Sequence, residues 1–142
     1  MKNCFKDGAI TPEFIATSIA HHQVKTNIGA HQIFLGQVRN DLIDGKEVVA
    51  IDYSAHEKMA NKAFHSIREA TFDKFDLTCM HIYHSKGVVR KGEICLFVFV
   101  SSAHRKMVQQ AIEYVVEAIK KDVPVFGKEL FEDNSHVWKE NK

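Results

Sequence analysis

The sequence lacks the features that mark several specialised classes of protein. Its formal net charge is only +1, which gives no bulk charge for binding nucleic acid or a membrane surface. It has no run of about 18 apolar residues, so no membrane-spanning helix is predicted. Residues 1–8 show no basic-then-apolar leader, and we therefore expect a cytoplasmic protein that is mature as written.

Cysteine is scarce and irregularly spaced. Cys4, Cys79 and Cys95 are an odd number without a CxxC pair, which argues against both a disulfide framework and a zinc site. Cys79 and Cys95 lie in apolar runs, where free cysteine is usually a small buried hydrophobe, and Cys4 is predicted to lie in a mobile N-terminus. We predict no metal and no cofactor.

What is present is typical of one globular domain. Of the 142 residues, 45% are hydrophobic and 26% are charged. A chain of this length can form one hydrophobic core but is short for two independent domains. The chain has no repeats, low-complexity segments or linker, so residues 1–142 are predicted to form a single domain.

The apolar spacing predicts an α+β fold. Thr11-Pro12-Glu13 is typical of a helix start, with an N-cap hydroxyl, a first-turn proline and an acid. Two longer helices are predicted at 57–74 and 103–121. Strands are predicted at 29–38, 48–53, 77–84 and 93–100, joined by loops at 40–45 and 87–92, with an extended stretch at 122–127. This order favours a mixed, largely antiparallel sheet.

Three local patterns could bind or convert a ligand. In Ser101-Ser102-Ala-His104-Arg105 a buried strand leads directly into a helix, whose free amides attract anions. The same residues are equally typical of a serine N-cap followed by solvated polar side chains.

Two single residues are further candidates. Arg39 follows a strand and suits the binding of a phosphate or carboxylate, although it could be an ordinary surface residue. Lys120 ends the last helix, where lysine usually complements the helix dipole but in a desolvated pocket could transfer protons.

Two histidine pairs resemble metal ligands but have unsuitable geometry. An offset of three in a strand places His81 and His84 on opposite faces. Adjacent helix residues such as His21 and His22 cannot both face one metal. We predict structural roles for all four.

Taken together, these pieces resemble the molybdopterin synthase large (catalytic) subunit family over about residues 29–140. The resemblance rests on an ordered set of motifs: Phe34-x-Gly36-x-Val38-Arg39-Asn40, Met59-Ala60, His84-x-x-Gly87, Gly92-Glu93, Ser102-Ala-His104-Arg105, and Lys120-x-x-x-Pro124 with Glu129. It implies an α/β hammerhead-like fold and a homodimer within a heterotetramer. It further implies a small ubiquitin-like subunit whose C-terminal Gly-Gly thiocarboxylate donates sulfur to cyclic pyranopterin monophosphate, forming the molybdopterin dithiolene.

The resemblance also assigns roles to individual positions. Lys120 matches the family's catalytic lysine. The residues that would bind substrate are Gln37, Val38, Arg39, His104, Arg105, Gly127, Lys128 and Glu129. The residues that would line the pocket for the partner's tail are Phe34, Pro124 and Phe126. We expect Arg39, His104 and Arg105 to converge in one anion pocket, and His136-Val-Trp138 to contact another chain or to cap its own domain.

The sequence departs from the family pattern at several positions. Gly127 stands where a second pocket lysine is usual, and Lys128 would face the other way unless Gly127 bends the chain. Ser85 replaces a common arginine, and Ser54 and His56 replace a glutamate and an aromatic residue. These changes leave an alternative open, in which the chain is a non-catalytic paralogue that binds the ubiquitin-like partner or an anionic ligand.

Overall fold

The structure, a computed structural model, describes residues 1–140. Its three helices are α1 (Pro12–Gln23), α2 (Glu57–Lys74) and α3 (Arg105–Asp122). Its eight strands are β1 (Phe5–Asp7), β2 (Ala30–Gln37), β3 (Leu42–Ile43), β4 (Lys46–Ala55), β5 (Cys79–Arg90), β6 (Ile94–Ser102), β7 (Val125–Phe131) and β8 (His136–Trp138). The predicted α+β fold is confirmed, with the three short strands β1, β3 and β8 added to it.

The strands form one mixed sheet in the order β2-β6-β5-β4-β7-β8, and all neighbours on this path are antiparallel. The long strand β5 joins the two sides of the sheet. Its first half pairs with β6 and its second half pairs with β4. Strand β1 pairs with β5 in parallel, and β3 forms a hairpin with β4. The sheet is therefore largely antiparallel, as the sequence indicated.

Helices cover both faces of the sheet around β6. Leu96, Val98 and Val100 pack in a core with residues of α2 and α3, whereas Phe97 and Phe99 pack with residues of α1. Alternate strand residues point to opposite faces, so β6 needs apolar residues at nearly every position. This is why the strand appears in the sequence as an unbroken apolar run.

The helix boundaries follow local chemistry. The Thr11 hydroxyl accepts a hydrogen bond from the Phe14 amide at 3.1 Å, and Pro12 occupies the first helical position. Helix α3 buries Val108, Ala111, Val115 and Ile119 and gives way to extended backbone at Val123, the residue before Pro124. Lys120 therefore lies in the last turn of α3, as predicted.

Three sequence expectations were wrong. Cys4 is not in a mobile segment: it is buried, and its carbonyl accepts a hydrogen bond from the His84 amide at 2.8 Å. Residues 40–45 contain β3 and a two-residue hairpin turn, where Asp44 and Gly45 have φ of 51° and 78°. The predicted 87–92 connection is mostly strand, since β5 continues to Arg90. Cross-strand pairing, which local sequence does not encode, accounts for all three.

Within residues 1–140, no helix is both long enough and apolar enough to cross a membrane.

Candidate functional site

Two adjoining clefts lie where α3 ends against the sheet. The first, here called the wide cleft, has a volume of about 820 Å³, and its lining includes Phe34, Gln37, Arg39, Lys120 and Glu129. The second, here called the lysine cleft, has a volume of about 340 Å³, and its lining includes His84, Lys120, Lys121, Pro124, Phe126 and Gly127. Tyr53, Lys120, Trp138 and Lys139 line both clefts. Lys120 thus lies at the junction of the two spaces.

The environment of Lys120 favours contact with a ligand. Its side chain is exposed and forms no ion pair with any residue in the described part of the chain. Its position in the last turn of α3 places the ammonium near the carbonyl end of the helix, where a cation is stabilised. The lysine can therefore complement the helix dipole and still present its ammonium to both clefts.

His84 is a buried neighbour of Lys120 in the lysine cleft. Burial, together with a smaller effect of the Lys120 charge, lowers the pKa of His84 to about 4 against the opposing effect of a backbone hydrogen bond to Ser85. Nδ1 lies 2.8 Å from the Ser85 carbonyl oxygen, which can only accept, so Nδ1 carries the proton. Near neutral pH, His84 is therefore uncharged and its Nε2 is unprotonated.

This histidine makes stability depend on pH. The folded pKa of about 4 lies below the ordinary value of 6.5, so the unfolded chain binds more protons in this interval and stability falls as pH drops through it. We expect His84 to account for a loss of about 3 kcal/mol in the free energy of unfolding between pH 7 and pH 4. Denaturant titrations should show a shallower pH dependence in His84→Gln. Equal slopes in His84→Gln and the wild type would contradict this assignment.

Polar groups also lie at the inner wall of the wide cleft. Burial raises the pKa of the Tyr53 hydroxyl well above its usual value, and the neighbouring Cys95 and Glu129 raise it further. Glu129 is buried and Cys95 is a free, buried thiol. Tyr53 consequently stays protonated and offers a neutral hydroxyl to the cleft.

Strand β2 brings several of the predicted residues to the wide cleft. Phe34, Gln37 and Arg39 line it, and the Arg39 Nε lies 3.4 Å from an Asp41 carboxylate oxygen. The Arg39 side chain is 74% exposed, so this pairing is weak and could yield to an anionic ligand. Val38 differs: its side chain is only 1% exposed and packs in the core. Val38 therefore contributes to the packing of the core and does not present its side chain to a substrate.

His104 and Arg105 do not join this group. They lie at the start of α3, about 24 Å from Lys120 along the helix axis. Because β2 and β6 are antiparallel, Arg39 follows the opposite end of the strand pair. The expected convergence of Arg39, His104 and Arg105 is therefore wrong within a single chain, and neither His104 nor Arg105 lines either cleft.

The start of α3 is nevertheless unusual. Its N-cap is His104, which makes no capping hydrogen bond from its side chain, and the first turn contains no acid. The serine-cap alternative is wrong, because Ser101 and Ser102 are buried strand residues. Their hydroxyls bond to His31 at 2.6 Å and to the Asp76 carbonyl oxygen at 2.8 Å. The first amides of α3 thus lack a side-chain cap.

Strand β7 and the proline before it place the remaining candidates in different positions. Gly127 lines the lysine cleft, as do Pro124 and Phe126, while Glu129 lines the wide cleft. Gly127 has no positive φ, so it does not bend the chain. Lys128 lines neither cleft, and its Nζ lies 5.4 Å from the centroid of the Trp138 ring. The structure therefore offers no route by which Lys128 replaces a lysine at position 127.

The two histidines of strand β5 point in opposite directions. His81 and His84 face opposite sides of the sheet, as predicted: His81 contacts His22 of α1 at 2.8 Å, whereas His84 lines the lysine cleft. Among the residues that the structure describes, no group of three or more histidine, cysteine or acidic side chains could hold a metal ion.

Sequence reasoning missed several residues of the clefts. Tyr53 and Lys139 were not candidates, His84 was given only a structural role, and Trp138 was considered only for contacts. Tyr53 lies in a predicted strand, but no motif marked it. Lys139 follows β8, a three-residue strand that local propensity could not predict.

Comparison with known proteins agrees with this architecture. The bovine (Bos taurus) molybdopterin synthase catalytic subunit is 34% identical over 114 residues, which are 80% of this chain and 60% of that protein. A molybdopterin synthase structure from Staphylococcus aureus superimposes with a TM-score of 0.83 at 29% identity, covering 99% of this chain and 98% of that one.

One chain in a protein–protein complex of subunits 1 and 2 of the Helicobacter pylori molybdopterin-converting factor has the same fold. Its TM-score is 0.81 at 19% identity, and the match covers 98% of this chain and 92% of that one. The chain spans about 60% of the length of the bovine relative. The family model described as MoaE protein matches residues 10–122, most of the chain. The sequence and structural similarities agree with the arrangement of the helix and the two clefts, and they show that the chain belongs to the MoaE family.

Proposed function

We propose that this chain is the catalytic subunit of a molybdopterin synthase and acts as a sulfurtransferase in the cytoplasm. It would transfer sulfur from the thiocarboxylated C-terminus of a small ubiquitin-like subunit to cyclic pyranopterin monophosphate, forming the molybdopterin dithiolene. The observation that carries the proposal is the position of Lys120, which faces a wide cleft and a narrow one at the same time.

The two clefts suit the two reactants. The lysine cleft, of about 340 Å³ with Pro124 and Phe126 in its walls, suits an extended Gly-Gly tail. Such a tail has no side chains, so a narrow groove can hold its backbone closely. The wide cleft, of about 820 Å³, has room for a pterin, with Arg39 and Gln37 available to its polar groups. Phe34 lines the wide cleft and not the lysine cleft, so in this arrangement it would lie beside the pterin and not along the tail, unlike its expected place in the tail pocket.

The chemistry requires a proton donor where the clefts meet. The thiocarboxylate sulfur would bond to a substrate carbon while a carbon–oxygen bond at that carbon breaks, and the leaving oxygen, of a hydroxyl or of the cyclic phosphate ester, would take up a proton. Water would then cleave the acyl–sulfur bond, leaving sulfur on the substrate and a carboxylate on the tail. A second tail would deliver the second sulfur in the same way. Lys120 is placed to protonate the leaving oxygen, and neutral His84 and Tyr53 beside it add no competing charge.

We propose that a second copy of the chain completes the site. Arg39 and His104 lie at opposite ends of one protomer, so a two-fold pair could bring the start of one α3 to the wide cleft of the other. The uncapped amides, His104 and Arg105 would then bind the substrate phosphate. This arrangement gives a homodimer with a small subunit at each end, a heterotetramer.

The alternative of a non-catalytic paralogue has two observations in its favour. Gly127 supplies no side chain to the lysine cleft, and the buried Ser85 hydroxyl has no hydrogen-bond partner in the described part of the chain. A paralogue of this kind would bind the partner's tail or an anion without turnover.

Reconstitution separates the two functions. The purified chain, mixed with thiocarboxylated small subunit and cyclic pyranopterin monophosphate, should form dithiolene, measured as its fluorescent oxidation product. Omission of the thiocarboxylate is the control and should give none. Tight binding of the small subunit with no product above that control would reject the synthase and favour the paralogue.

A further inference from the structure

The side chains that line the lysine cleft carry positive charges without any negative charge among them. Three lysines line it, Lys120, Lys121 and Lys139, and no aspartate or glutamate does. None of the three forms an ion pair with another residue between positions 1 and 140. Like charges gathered in one small space repel each other unless an anion enters it. The cleft therefore favours an anionic ligand group.

Lys139 occupies a specific place in this cleft. Its amide donates a hydrogen bond to the Gly127 carbonyl oxygen at 2.8 Å, which extends the β7–β8 pairing by one residue. A Cβ atom built on Gly127 would lie 3.7 Å from the Lys139 Cβ and 3.4 Å from the Tyr53 ring. Lys139 thus projects on the face to which a residue 127 side chain would point.

Lys139 and Lys120 share a property that the third lysine lacks. Both line the wide cleft as well as the lysine cleft, whereas Lys121 lines only the latter. Lys139 is also partly buried, and a lysine of this kind typically packs its methylene stem on the protein while its ammonium reaches outward. The two ammonium groups can therefore approach one anion from two different elements, a helix end and a strand end.

We propose that Lys139 is an oxyanion-binding residue of this site, holding with Lys120 a negatively charged group of the reactants where the two clefts meet. The inference rests on the proposed function for the identity of those reactants. The shared chemistry is a compact oxyanion, from either the phosphate of the small-molecule substrate or the terminal carboxylate of the partner's tail. A lysine is suited to this task because its flexible stem can follow the anion as the reaction proceeds.

Binding measurements test the proposal with matched variants. Calorimetry on the full chain would use cyclic pyranopterin monophosphate in one arm and a peptide with the small subunit's C-terminal Gly-Gly carboxylate in the other. We expect Lys139→Ala to weaken one arm about tenfold, Lys139→Arg to retain most of the affinity, and Lys128→Ala to match wild type. A loss confined to the pterin identifies the phosphate as the anion, and a loss confined to the peptide identifies the carboxylate.

Other outcomes would overturn the inference. Wild-type affinity in both arms for Lys139→Ala would do so, as would an equal loss in Lys128→Ala. If the wild-type chain binds neither reactant, the proposed function fails, and inorganic phosphate then serves as the probe. Phosphate-induced shifts of the Gly127 and Tyr53 amide resonances that disappear in Lys139→Ala would still support the role, and shifts that persist would reject it.

Discussion

Replacing Lys120 with alanine should reduce dithiolene formation by about 100-fold or more, because general acid–base catalysis contributes roughly 10²–10⁴-fold in enzymes. The variant should still fold and bind the small subunit. Lys120 is exposed, and losing a helix-end cation costs only about 0.3–1 kcal/mol of stability. Single-turnover reconstitution, with product and bound small subunit measured on the same sample, separates catalysis from binding.

The second long helix provides a matched control. Lys74 is the basic residue in the last turn of α2, where it complements a helix dipole without lining either cleft. Lys74→Ala should show the small loss of stability and retain full activity. Near-normal turnover in Lys120→Ala, or an equal loss of turnover in Lys74→Ala, would show that Lys120 serves only its helix.

Mixing two inactive variants should restore activity. Arg39→Ala and His104→Ala would each disable both sites of a dimer if each pocket takes Arg39 from one protomer and His104 from the other. After unfolding and refolding together in equal amounts, half of the dimers would contain one chain of each kind. Each such dimer has one fully native pocket, so about a quarter of wild-type turnover should return.

The controls fix the interpretation of this complementation. Each variant refolded alone should stay inactive, and the double variant Arg39→Ala/His104→Ala should not rescue wild-type chains above their own contribution. No recovery in the mixture, although mass spectrometry of intact complexes detects mixed dimers, would mean that Arg39 and His104 do not meet across a dimer.

The sequence predicted the parts of the fold that local patterns encode. Helix α1 was recognisable because Thr11 and Pro12 act within one turn, and β6 because both of its faces are buried. Strands β1 and β8 have three residues each and exist only through pairing with β5 and β7. Neither periodicity nor propensity can reveal such strands, and the buried position of Cys4 depends on one of them.

The residues of the site likewise fall into those that local sequence patterns predict and those that only the folded structure brings into place. Arg39 and Lys120 could be named because each follows or ends an element that the sequence predicts well. The expectation that His104 would join them failed because sequence order does not show that α3 holds Lys120 and His104 at its opposite ends. Lys139 could not be found, since its position depends on a backbone hydrogen bond to Gly127.

The location of Trp138 has an optical consequence. It is the only tryptophan in the chain, it lines both clefts, and its side chain is 55% exposed. Light absorbed selectively by indole therefore reports on one place in the molecule, without any attached dye. An arriving tail or pterin would exclude water from that ring and alter the wavelength and intensity of its emission. The order in which the two reactants enter could then be followed in real time by stopped-flow mixing.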